Sequence, residues 1–128
     1  MMVQRLIAIV VVVLGMSAAA GKAMAAGSEE MMKELLRPAG WSAEWAGPGG
    51  SGLTELVFEQ RAEGVFARIR LIAPFELTCE KPVTIDQRSV TFDGCRDPAV
   101  TLVYEPGDTT YPFRGRSPRG YEWRVKPK

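Results

Sequence analysis

Apolar and polar positions along the chain change period twice. An unbroken apolar run, Leu6–Leu14, follows Arg5 and gives way to small residues ending in Ala23-Met24-Ala25. That layout predicts a cleaved secretory signal over residues 1–25, because the run is about half of the roughly 20 residues a bilayer span requires. Beyond it, Met31, Met32, Leu35 and Leu36 recur at helical spacing. Ser28 is placed to cap a helix there and Glu29 and Glu30 suit the positive end of its dipole, so a short helix is expected over 28–37, stopped by Arg37-Pro38. From Gly40 the period drops to two. Trp41, Ala43 and Trp45 alternate with Ser42 and Glu44 as a strand, and the glycine-rich stretch 47–52 reads as a loop.

The strongest hairpin signal joins Leu53–Arg61 to Gly64–Ile72 through a turn at Ala62-Glu63. With Arg61 opposite Gly64, Leu56 faces Ile69 and Phe58 faces Ala67 on one side, while Glu55 faces Arg70 on the other. Gly64 in a left-handed bulge is the alternative and would shift that register by one. Three short runs follow, Val83-Thr84-Ile85, Val90-Thr91-Phe92 and Val100-Thr101-Leu102, each with two apolar side chains on one face and a threonine on the other. A turn at Gln87-Arg88 pairs Ile85 with Val90 and Val83 with Phe92, and Pro82 is placed to form a bulge. Tyr111–Gly115 and Tyr121–Lys126, separated by Ser117-Pro118-Arg119-Gly120, complete the pattern. About eight short strands between residues 40 and 126 predict an all-β fold, a small antiparallel meander barrel or sandwich, as a single domain over 26–128. In layout, a short helix, a Gly-Trp strand and then an antiparallel meander, the chain resembles lipocalin-type barrels. Those usually carry Gly-x-Trp, whereas Gly40 and Trp41 are adjacent, so the resemblance implies an architecture and no residue roles.

Composition narrows the chemistry. The 128 residues are 46% hydrophobic and 24% charged, with 13 glycines and 9 prolines to punctuate turns. Histidine is absent, which removes histidine-dependent nucleophile triads, histidine general bases and histidine-ligated metal sites. The acids Glu29, Glu30, Glu76, Glu80, Asp86, Asp93 and Asp97 sit where capping, turns and solvated strand faces account for them, and neither a phosphate loop nor a metal-ligand spacing is present. No enzyme activity, cofactor or metal is expected. The net charge of +1 becomes −1 once Arg5 and Lys22 leave with the signal, so whole-chain charge selects no partner. The two cysteines, Cys79 and Cys95, have a single pairing available and are expected to form a disulfide in an oxidising compartment.

Two surfaces are candidates for binding. Arg114, Arg116, Arg119, Arg124 and Lys126 interleave with aromatic residues near the C-terminus and can grip anionic glycans, lipid headgroups or an acidic protein. The plainer account is that strand alternation alone places these cations on a solvated face. Trp41, Trp45, Phe58, Phe92, Tyr104 and Trp123 line a barrel interior, either as a pocket for a small apolar ligand or as core. The expected protein is an exported, non-catalytic binding or accessory module, periplasmic or else extracellular. It has no stable membrane anchor once the signal is removed. Its partner is a protein, a glycan or a small apolar ligand of the cell envelope, and not nucleic acid. A lipocalin-like carrier is one alternative. A secreted inhibitor of an envelope-targeting enzyme, acting through 47–52 or 106–109, is the other.

Overall fold

A computed structural model describes residues 29–128. The expected signal over 1–25 and the Ser28 cap lie outside the described residues. Eight antiparallel strands follow one another around a closed barrel: β1 (Trp41–Gly47), β2 (Gly50–Arg61), β3 (Gly64–Ala73), β4 (Leu77–Asp86), β5 (Ser89–Phe92), β6 (Val100–Tyr104), β7 (Phe113–Arg116) and β8 (Glu122–Pro127). The barrel closes where β8 pairs with β1, Val125 opposite Ala43 and Trp123 opposite Trp45. Closure leaves no strand edge open to pair with another chain.

Alternation dictates this arrangement. In β3 the side chains of Val65, Ala67, Ile69 and Leu71 are buried and those between them are not. The β2–β3 hairpin has the expected register, with Arg61 opposite Gly64, Leu56 opposite Ile69 and Glu55 opposite Arg70, and Gly64 does not shift it. Outward residues form cross-strand ion pairs, among them Glu55 with Arg70 at 3.2 Å and Glu59 with Arg68. The Glu55 carboxyl is held below its ordinary pKa chiefly by Lys128 and then by Arg70, and that of Glu59 by Arg68 and then Arg61. The outer face of the barrel is thus charged. No helix among the described residues is long and apolar enough to cross a membrane.

Several boundaries differ from expectation. The helix, α1, spans 29–35, and Leu36 already belongs to the turn that follows. The stretch 47–52 is a tight turn and not a loop: Gly47 pairs with Gly50, Ser51 with Ala46 and Gly52 with Trp45. β7 and β8 begin later than expected, at Phe113 and Glu122. Between β4 and β5 the paired rungs run from Asp86 opposite Ser89 to Thr84 opposite Thr91, and they do not extend to Val83 and Phe92. In a two-residue hairpin the next hydrogen-bonded rung would use the backbone N–H of residue 82, which proline lacks. Pro82 accordingly ends the β4–β5 ladder and is in regular register with Phe66 on β3. The segment 93–99 covers the space beyond, tied to β4 by the Cys79–Cys95 disulfide.

The two ends of the barrel are unlike. α1 closes the first: Met31 and Leu35 are fully buried, and the Trp41 indole N–H donates to the Leu35 carbonyl at 3.0 Å, satisfying a helix-terminal acceptor. Trp41 packs edge-on against Phe113, ring centroids 5.1 Å apart, and Phe113 meets Tyr104 at the same spacing. Because neighbouring strands run in opposite directions, the connections 48–49, 74–76, 93–99 and 117–121 all gather at the other end.

Candidate functional site

These four connections enclose a cup of about 270 Å³. Trp45 and Trp123 lie at its base, stacked with centroids 6.4 Å apart, and Tyr121 meets Trp45 edge-on at 5.7 Å. Each indole is fixed by a hydrogen bond: Trp45 Nε1 donates to Thr54 Oγ1 at 2.9 Å, and Trp123 Nε1 donates to Asp97 Oδ2 at 3.0 Å. Ile69, Leu71, Phe75 and the disulfide's Cys95 complete the apolar wall. Phe75 follows a cis peptide bond between Ala73 and Pro74 and is 46% exposed.

The sequence folds into this shape for local reasons. Gly52 stands opposite Trp45, and a Cβ there would run into the Trp45 ring and the Ala73 carbonyl, so only glycine leaves room for the indole. The 117–121 connection is a type I turn with a bulge. Gly120 N donates to the Ser117 carbonyl at 3.0 Å, Ser117 N donates to the Tyr121 carbonyl at 2.9 Å, and Gly120 has φ +91°. That turn carries Arg119 to the rim. Gly49 N donates to the Tyr121 hydroxyl at 3.0 Å and ties the β1–β2 turn to the same wall.

Of the cations expected to form a basic surface, Arg114, Arg116, Arg124 and Lys126 lie outside the cup, each with an acidic neighbour. Arg114 pairs with Asp108 at 2.8 Å, Arg116 with Glu122 at 2.7 Å, and Arg124 and Lys126 with Glu44 at 3.2 and 3.6 Å. Arg114 and Arg124 also flank the Tyr111 ring, at 5.4 and 5.1 Å. The Asp108 carboxyl is held below its ordinary pKa, chiefly by the Tyr111 N–H and then by Arg114. Arg119 is different. It donates to the Arg96 carbonyl at 2.8 Å and lines the cup together with Arg96, whose guanidinium lies 5.5 Å from the Phe75 ring centroid.

The six aromatic candidates also divide. Trp41, Phe58, Phe92 and Tyr104 are buried in the core, while Trp45 and Trp123 line the cup. Sequence reasoning passed over Arg96, Tyr121 and Phe75 as cup residues. The signals were an arginine next to Cys95, an aromatic residue that ends a turn, and a phenylalanine inside a connection where alternation asks for none. Among the described residues no group of His, Cys, Asp or Glu is arranged to hold a metal ion. Fold and site together define an eight-stranded antiparallel barrel plugged at one end and open at the other. No family model, no curated protein and no solved structure matches the chain.

Proposed function

We propose that this is a small exported binding protein, acting without catalysis, whose binding surface is the open end of the barrel. The observation that carries this reading is the cup itself. Apolar and aromatic walls with few polar groups are the usual make-up of a small-ligand pocket, and its volume of about 270 Å³ suits a small ligand or one end of a larger one. The C-terminal cations are the weaker choice, since Arg114 and Arg116 are each paired with a carboxylate, Asp108 and Glu122, and Arg124 and Lys126 share Glu44. Export rests on the signal-like residues 1–25 and fits the disulfide, which persists in oxidising compartments.

The uncharged fluorescent probe N-phenyl-1-naphthylamine tests this reading. The probe should brighten and saturate at one molecule per chain. Replacing the exposed Phe75 with alanine should weaken binding roughly fivefold, the effect of losing part of a phenyl contact. Replacing Val103, also exposed but on the outer face of β6, should leave binding unchanged. Equal effects of the two substitutions, or no saturable binding, would contradict the reading.

A further inference from the structure

The cup's charges point to the chemistry of its occupant, an inference that rests on the open end being the binding surface. Among the described residues, eight arginines stand within ion-pair distance of a carboxylate: Arg37, Arg61, Arg68, Arg70, Arg88, Arg114, Arg116 and Arg124. Arg96 and Arg119 do not, and both line the cup. On a surface where other arginines are paired with carboxylates, the two left without a counter-charge lie on neighbouring connections at one rim. The bond from Arg119 to the Arg96 carbonyl holds those connections together without using either positive charge. Arg96 is further steadied against Phe75. One acid shares the lining, Asp97: its Oδ2 accepts the Trp123 indole N–H, and its Oδ1 is buried without a hydrogen-bond partner. The charged lining is therefore two cations to one anion, above an apolar base.

We infer that the open end of the barrel binds an amphipathic carboxylate, its apolar body on Trp45 and Trp123 and its anionic head at Arg96 and Arg119. A guanidinium presents paired N–H donors that match a carboxylate, and hydrogen bonds to a charged group are the stronger kind. At roughly 30 Å³ for each water-sized group, a cup of about 270 Å³ holds about nine such groups, which suits an apolar chain of medium length.

Three probes with one tail and different heads test this: octanoate, 1-octanol and octylammonium, each competing with N-phenyl-1-naphthylamine on the disulfide-bonded protein. Octanoate should bind at least tenfold tighter than octanol, and its advantage should shrink as salt rises. Arg96→Gln, which leaves the backbone carbonyl and its bond to Arg119 in place, should remove most of that advantage while octanol binding stays as it was. Arg119→Gln should do the same, and Arg116→Gln, on the outer face, should not. Octanol equal to octanoate, or an advantage that survives both rim substitutions, overturns the carboxylate inference and leaves the cup as a binding site. Octylammonium binding tightest would also overturn it, because Asp97 would then set the preference. Failure of all three probes to displace the dye sinks the inference. Failure of the dye itself to bind sinks the reading beneath it, leaving the rim as a surface for a protein partner.

Discussion

Trp41 and Trp45 stand four positions apart on the same face of β1, and their surroundings differ because the barrel has unlike ends. Trp41 is fully buried under α1, with its indole N–H on the Leu35 carbonyl. Trp45 faces the open cup, and Gly52 across the ladder makes room for it. Gly52→Ala should therefore act on both stability and binding. The added methyl group has to displace the Trp45 ring or the β3 end at Ala73, at a cost of about 1–3 kcal/mol in overpacking. Urea unfolding followed by tryptophan emission should show that loss, and dye binding should fall with it. Unchanged stability would mean that the ring has space to move. The two indoles read alike along the chain, since period-two alternation reports which face a side chain takes and not how deep in the barrel it lies. The arginines were opaque for a similar reason. Arg119 sits in the same interleaved run as Arg114 and Arg124, and what separates them is the carboxylates they meet, one of which, Glu44, lies 80 residues from Arg124.

At the level of elements, the β2–β3 hairpin was legible from its turn out to Thr54 and Leu71, because its two-residue turn, its apolar face and its charged pairs all specify one register, while the shift that places Leu53 opposite Ala73 was not. The β1–β2 turn was not, since five glycines and prolines in 47–52 are equally compatible with an open loop. Tyr121 decides the matter by accepting the Gly49 N–H. The 93–99 connection is the element on which the site most depends. It bears Arg96 and Asp97, and it is held by the Cys79–Cys95 bridge, by Gly94 N donating to the Asp97 carbonyl at 2.8 Å, and by the Ala99 N–H on Asp93 Oδ1 at 2.8 Å. Replacing both cysteines with alanine should cost about 3 kcal/mol, the loop-closure value for a separation of 16 residues. Dye binding should fall in the same variant at temperatures where circular dichroism still reports a folded barrel. Full binding in a folded variant would show that hydrogen bonds alone position the connection.

The whole molecule is organised along the barrel axis. Phe58 meets Phe92 at 5.8 Å and Phe92 meets Trp123 at 6.1 Å, and a single hydrophobic core runs from Met31, Leu35 and Trp41 at the closed end to Trp123 at the cup. The meander topology places four connections at the cup, and Phe75, Arg96 and Arg119 each come from a different one. The central claim is that ligands enter at this end, and nuclear magnetic resonance of the amide groups during titration with N-phenyl-1-naphthylamine tests it most directly. Shifts should concentrate at Gly49, Gly94, Arg96 and Tyr121, while Leu35, Gly40 and Tyr104 at the plugged end stay still. Shifts centred on the plugged end, or scattered over the outer face of β7 and β8, would contradict the account.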